Sequence, residues 1–421
     1  MSSPIRIAIS GGGLAGASLL YALLPHAHLD VHIFESAAAF KEAGMAIGLA
    51  RNALAALDLI GPSAAECLNR AGAVPMRGVR FMLAQGDNAG NTIDETEDGQ
   101  RVTSIVHRAA LLREFLVNVP PDRMHASRNL DHFDRNSDGS LTLHFTDGTT
   151  HECDILVGAD GIRSTVRKLI LGEDDPAASP RNTGAWCVMA LKPYAEAQTS
   201  IGNGPVNIED AREYMWIGNG TYLLHNLLNQ GQLVQVVIAS HEKDAESSDC
   251  WHRTVSADEI KKLYQGWPSH LYKAVDELFC KQPEQPGMYL WEHPPARTYV
   301  SGSICIMGDA AHATTPWQGS GGGMSIEDSL ILSTLLGRAK TAAEAQTALK
   351  VYDHVRRPRT QRIVESSREM GLIVSGLKEE MGLNLEKLSE ELLPRWDFII
   401  DFDIEKHRDE AVEMMEREFK S

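Results

Sequence analysis

Nowhere in the 421 residues does an uninterrupted apolar run reach the length a bilayer-crossing helix needs. No charged leader or cleavage site precedes the strand-like Ile5-Arg6-Ile7-Ala8-Ile9, so a soluble, cytoplasmic protein is expected. Basic charge is in deficit: 40 Lys and Arg stand against 57 Asp and Glu, a formal net charge of -17. That deficit argues against nucleic acid or an anionic membrane surface as the main partner, because both require a basic footprint. It leaves room for a small anionic substrate, which needs only one or two local cations. None of the six cysteines forms a CxxC pair or takes zinc-like spacing with histidine. They read as scattered thiols in a reducing compartment, and no metal centre is expected. Internal repeats and low-complexity tracts are absent as well.

What is present is a chain 43% apolar and 23% charged, enough for a sizeable core and long enough for two domains. Ile5 to Ser10 reads as an apolar strand, followed by Gly11-Gly12-Gly13-Leu14-Ala15-Gly16 and a helix from Ala17 to Leu24. Val31 to Phe34 is a second strand, ending at Glu35. In this βαβ unit Gly11 makes the tight turn and Gly13 admits a pyrophosphate. Gly16 lets helix pack on strand, and Glu35 is placed to accept hydrogen bonds from an adenosine ribose. A dinucleotide site follows from that context. Val102 to Val106 reads as a strand that leads through His107 into a helix opened by Arg108. A cation is not placed there to suit the helix dipole, so Arg108 faces either a phosphate or flavin edge, or solvent.

Alternation at Leu141, Leu143 and Phe145, with a turn at Asp147-Gly148, predicts a hairpin whose return strand runs to Val157. It ends in Gly158-Ala159-Asp160-Gly161-Ile162-Arg163-Ser164-Thr165-Val166-Arg167, where Asp160 is placed to cap the next helix. From Arg181 to Glu284 strands alternate with long polar loops, predicting a sheet-based domain inserted in the first. Trp186, Tyr214, Trp216 and Tyr222 offer it either core or an aromatic pocket. Ile306 to Asp328 then passes from a strand through Gly308-Asp309 and an irregular loop to Pro316. It continues through Gly319, Gly321, Gly322 and Gly323 into a helix read as amphipathic. Glycines of this density suit a loop lying against a bound molecule, with a helix start favouring negative charge. Tyr352 to Arg359, YDHVRRPR, is expected to end a helix in a basic knot. Beyond Thr360 the chain reads as helical and acidic, with Trp396 to Phe402 packing on the body.

Taken together, GGGLAG with Glu35, GADGIRSTVR and GDAAHATTPWQGSGGG, with YxxxRRPR behind them, resemble the single-component aromatic hydroxylases that use FAD. The branch most similar is the salicylate hydroxylase-like one. The resemblance implies an α/β fold: a Rossmann-like FAD-binding domain (1–75, 101–180 and 290–360), an inserted mixed-sheet substrate domain (76–100 and 181–289) and a C-terminal helical segment (361–421). It implies that Gly11, Gly13, Leu14, Ala15 and Gly16 hold the FAD pyrophosphate and Glu35 the ribose. Arg108 and Asp160 also contact cofactor, and Asp309 bonds the ribityl chain. Pro316 borders the flavin ring, and backbone N–H groups from Gly321, Gly322, Gly323 and Met324 face its pyrimidine edge. NADH or NADPH is implied as transient cosubstrate, since no second GxGxxG is present. The implied reaction is hydroxylation of a phenolic or salicylate-like substrate with O2 through a flavin hydroperoxide. A monomer or homodimer is expected. Epoxidation or hydroxylation of a larger secondary metabolite, and a flavoprotein without oxygenase activity, remain alternatives.

The chain departs from that branch in three places. Val188 lies where an arginine is frequent, Trp317 where histidine is frequent, and Arg51 where proline is usual. A carboxylated substrate therefore needs another cation or neutral donors. His225 and Tyr214 are the candidates for substrate contact or proton movement, and Trp317 for substrate choice.

Overall fold

Two sheets of different character organise the molecule, whose computed structural model describes residues 3–41, 46–96, 103–201, 212–228 and 231–420. The first is six-stranded. In spatial order its strands are Val300–Ser301, Ile304–Ile306, Ile155–Gly158, Ile5–Ser10, Leu29–Phe34 and Met124–His125, all parallel but the first. Its strands are near-continuous apolar runs because both faces are covered, as a parallel sheet requires. The expected βαβ unit is there, with the first helix at Leu14–Leu23. The hairpin also forms, with Leu141–Phe145 paired to Thr150–Cys153 and Gly148 at the positive φ (83°) that the turn demands, but its return strand stops at Cys153 instead of running to Val157, because Ile155–Gly158 pairs as a separate strand of the parallel sheet. Of the strand read over Val102 to Val106, Val102 lies outside the described residues; Thr103–His107 is a strand paired with Ala46–Ala50.

The second sheet is eight-stranded and mixed. It is built from Gly78–Leu83 and Thr92–Glu95 together with strands between Arg181 and Glu292. One face is covered by the helices Tyr194–Ile201, Ala257–Leu263 and Ser269–Phe279. The other faces Trp317, Met324, the long helix and the C-terminal cluster around Trp396 and Ile400.

Two helical expectations need correction. The helix after the glycines, Gly321–Leu336, is buried all round rather than amphipathic, because it runs between the parallel sheet and later helices. The basic knot does not end a helix: one helix runs Ala342–Val374 straight through Pro358. An internal proline normally costs ~3 kcal/mol. Here Arg356 and Arg359, on either side of it, are both fixed by buried carboxylates, which holds the helix on course.

Candidate active site

The three motifs meet at their backbones. A side chain at Gly11 would put Cβ 2.2 Å from Ala159 O, and one at Gly308 would put it 2.6 Å from the Ala15 Cβ. The first motif thus abuts the second and the third with no room between. Arg167, fully buried, ties the second to the third by donating from Nη1 to Ala310 O (3.0 Å) and Ala311 O (2.7 Å). Nε and Nη2 donate to Ala177 O and Pro294 O, so four carbonyls receive a guanidinium whose pKa burial has lowered to about 10. The motif contained Arg167, but nothing in the sequence alone marked it as the strap.

Glu35 accepts from Gly12 N (2.8 Å) and Ala37 N (2.7 Å), which fixes the carboxylate against the glycine turn. A Cβ on Gly12 would meet Phe40 at 2.5 Å and this carboxylate at 2.9 Å, so bare backbone is required there. Gly13 caps the first helix without a side-chain partner. Arg108 opens the helix Arg108–Leu116 and is half-buried. Asp160 does cap: its carboxylate accepts from Val166 N (3.1 Å) and the Ser164 hydroxyl (2.5 Å), while Ser164 accepts from Arg167 N. Burial pushes the Asp160 carboxyl up, against those hydrogen bonds. Asp309 and Pro316 are exposed, on the loop that leads to the glycines. Gly321, Gly322 and Gly323 precede the first bond of their helix, Met324 N to Ser320 O at 2.9 Å, and Ser320 adds no side-chain cap. That start is a set of backbone donors over a half-buried surface. These features suit FAD: bare backbone beside an anchored carboxylate at one end, and uncapped backbone donors at the other.

Beneath the loop lies a charge network that sequence reading missed. Arg356 donates to Asp328 Oδ1 (2.8 Å) and Glu327 Oε2 (2.6 Å), and Arg359 donates to both Glu327 oxygens (2.8 and 2.9 Å). Asn52 adds a bond to Glu327, and His312 Nε2 lies 2.6 Å from Asp328 Oδ2. Asp328 also accepts from Gly308 N at 3.0 Å. Burial opposes ionisation, but Arg359 and Arg356 hold Glu327 low, and His312 and Arg356 hold Asp328 low. Two adjacent acids in an apolar helix, and a YxxxRRPR knot downstream, were the available signal: buried charges require partners.

Trp317 is buried. Its indole lies edge-on to Tyr222 at 5.4 Å and against Gly371, whose Cβ would come 2.4 Å from the indole Nε1. The loop is held by the C-terminal segment: Gln318 Nε2 donates to Arg395 O, and Trp396 Nε1 donates to Gln318 O. Arg51, at the proline position, is ion-paired with Asp401 of that segment.

His225 and Tyr214 must be reassigned. They pair across neighbouring strands and stack at 4.9 Å, on the face covered by helices. Trp216 Nε1 donates to His225 Nε2 (3.4 Å), and Arg80 donates to the Tyr214 hydroxyl (3.1 Å). Burial pushes His225 down to about 3, so it is a neutral core acceptor. Trp186, Trp216 and Val188 share that face; of the four aromatics, Tyr222 alone faces Trp317. Strand alternation explains the error, since adjacent residues of one strand serve opposite sides of the sheet. A cavity of about 270 Å³ lies behind His312, lined among others by His293, Tyr299 and Arg368, but it contains no glycine of the three motifs. Among the described residues one group could hold a metal ion, His132 and Asp134 on the strand Leu130–Arg135 with His144 on the adjoining strand Leu141–Phe145. No described helix is long and apolar enough to cross a membrane.

Residues 268–367 match the family model described as FAD binding domain. The chain is 35% identical to 6-methylsalicylate 1-monooxygenase of Aspergillus terreus, over 98% of this chain and 93% of that one. It is 29% identical to salicylate hydroxylase of Pseudomonas putida, over 97% and 94%. Among solved structures, a salicylate hydroxylase substrate complex superposes with TM-score 0.85 at 24% identity, covering 97% of this chain and 98% of that one. CtdE in complex with FAD and a substrate gives 0.81 at 17%, covering 99% and 100%. Both share its fold. With its three motifs in contact around one strand–helix crossing, the chain belongs to the FAD-dependent monooxygenases, in the salicylate hydroxylase-like branch.

Proposed function

We propose that the protein hydroxylates a small phenolic or salicylate-like ring, with NADH or NADPH as reductant. The observation that carries this reading is that the Glu35 turn and the Gly321 helix start both adjoin the start of the first helix: Glu35 accepts from Gly12 N (2.8 Å), and Leu14 lies 3.7 Å from the Cβ position of Gly322. Bound flavin supplies the oxygen-activating chemistry. Glu35 and the Gly11–Gly16 turn hold the adenosine and pyrophosphate end, with Arg108 and Asp160 along its length and Asp309 at the ribityl chain. The free backbone donors of Gly321, Gly322 and Gly323 stabilise negative charge at the pyrimidine edge, whereas the Met324 N–H is already given to Ser320 O. Pro316 borders the ring, and Trp317 with Tyr222 forms an apolar wall that excludes water beside it.

The test is to load purified protein with FAD and screen phenols and aromatic acids for stimulated NADH or NADPH oxidation, measuring product mass. A gain of one oxygen supports ring hydroxylation. Gain of oxygen with loss of carbon dioxide selects the salicylate-type reaction. A loaded flavin that no reductant bleaches with any aromatic present would refute it.

A further inference from the structure

The eight-stranded sheet has faces of unequal character. Beneath its helices, Trp186, Val236 and Ile238 are sealed. On the Trp317 side, Met189, Leu224, Val237, Gln235 and Glu213 keep accessible surface, although helices from the cofactor side cover that face. Side chains left accessible on a covered face mean that the two layers do not close fully on each other, and the inferred space is the gap between them. At one end of it Tyr222 meets Trp317. At the other, Leu228, Leu191 and Leu233 pack on Ile105 and Ala46. Ala46 belongs to the strand whose Ile47 lies 3.1 Å from the Cβ position of Gly322. Both ends therefore adjoin the glycine loop.

One row across this face is polar. Tyr214 pairs with His225 on the helix-covered side, so Glu213 and Asn226 lie side by side on the other. Asn226 pairs in turn with Gln235, and Gln235 with Leu191. Asn226 is 2% exposed, and its Oδ1 has no hydrogen-bond partner; nor has Gln235 Oε1. Glu213 keeps some surface, yet burial pushes its carboxyl up to about 7, as fits a group opening on an internal space. Buried acceptors without partners destabilise a fold, so aligned ones call for donors that arrive with a ligand. The next two rows, Phe81–Met215–Leu224–Val237–Met189 and Leu83–Ile217–Tyr222–Ala239–Cys187, are apolar but for the Tyr222 hydroxyl, and neither holds a cation.

We propose that Glu213, Asn226 and Gln235 form a hydroxyl-reading subsite of the substrate cavity, selecting an uncharged phenolic ring whose hydroxyl donates to Asn226 Oδ1 or Gln235 Oε1. The proposal rests on the aromatic hydroxylase reading above and narrows it: substrate recognition comes from neutral acceptors in place of a cation. A carboxylate finds no counter-charge on these rows.

The test uses FAD-loaded protein and the flavin absorbance change on titration with m-cresol and toluene, which differ by one ring hydroxyl. Wild type is expected to bind m-cresol about tenfold or more tightly than toluene, the scale set by leaving a buried acceptor unpaired. Asn226→Leu, close in volume, should bring the two within about twofold, with toluene binding held, because a ring without a hydroxyl makes no use of the acceptor. Gln235→Leu, at a half-buried position, gives a second reading should the first variant not fold. A preference absent in wild type, or surviving both substitutions, overturns the subsite. So does equal weakening of both ligands, which would give the row a purely structural role. Loaded wild type whose flavin responds to no aromatic overturns the hydroxylase reading beneath it, a different result from response without preference.

Discussion

Gly371→Ala tests whether the Trp317 wall is as tightly fixed as its surroundings imply. In a helix interior, glycine to alanine ordinarily stabilises by ~1 kcal/mol. Gly371 is buried in the long helix Ala342–Val374, and an added Cβ would lie 2.4, 2.8 and 2.9 Å from three atoms of the Trp317 indole. Carbon contacts settle near 3.5 Å, so the ring must move by about 1 Å. Its way is blocked by Tyr222, edge-on at 5.4 Å. Overpacking of this kind costs ~1–3 kcal/mol. The two effects leave a net loss of about 0–2 kcal/mol where simple propensity gives a gain. A wall displaced by about 1 Å should also lower substrate-dependent kcat/KM by up to ~100-fold while FAD content is kept. Urea unfolding and substrate-stimulated NAD(P)H oxidation measure both. In a Trp317→Phe background the same substitution should recover most of its propensity gain. A stabilised Gly371→Ala protein with unchanged kcat/KM would refute the argument.

Other consequences are more easily stated. Arg356→Met should cost ~3–5 kcal/mol in chemical denaturation, because it leaves Glu327 and Asp328 buried with one cation fewer; a loss under ~1 kcal/mol would mean the network relaxes. His225→Phe should leave kcat within about threefold while lowering stability by ~1–3 kcal/mol, since Trp216 Nε1 loses its acceptor; collapse of kcat in folded protein would return His225 to the chemistry. Stability should also fall as pH drops below ~6.5. Burial pushes His225 and His293 down to about 3 and His407 to about 4, so the unfolded chain takes up protons that these three refuse. Each contributes a slope of up to ~1.4 kcal/mol per pH unit. Glu213, raised to about 7, opposes one of them, because its folded form holds a proton the unfolded chain has lost. A urea midpoint that stays flat between pH 7 and 5 would contradict this assignment. Glu327 and Asp328, held low, add stability above pH ~4 that is lost in stronger acid.

The cofactor end of the fold was legible in the sequence because its signals are local. Gly11 and Gly16 are dictated by backbone crowding and Gly308 by its positive φ and the Ala15 Cβ, and a strand, a glycine turn and an acid at the next strand's end all fall between Ile5 and Glu35. The capping by Asp160 is likewise a matter of six residues. The substrate side was less legible. Which face of a strand looks toward the cofactor depends on register with strands far off in sequence, and one step in parity exchanges His225 for Asn226. The Glu327–Arg356 and Asp328–Arg356 pairs span 28 or 29 residues and two helices, so each half was visible and the pairing was not. Pro358 misled because a local rule was overridden by tertiary contacts on both sides of it.

The clamp between Gln318, Arg395 and Trp396, reinforced by Arg359 donating to the carbonyls of Phe398 and Ile399, has a bearing on how the protein is made. Trp396 follows Glu35 by 361 residues (396 − 35). Translation therefore presents the Glu35 turn long before the flap that steadies the glycine loop, and on the FAD placement proposed above the ring end of the site closes only well after the adenosine end has been made.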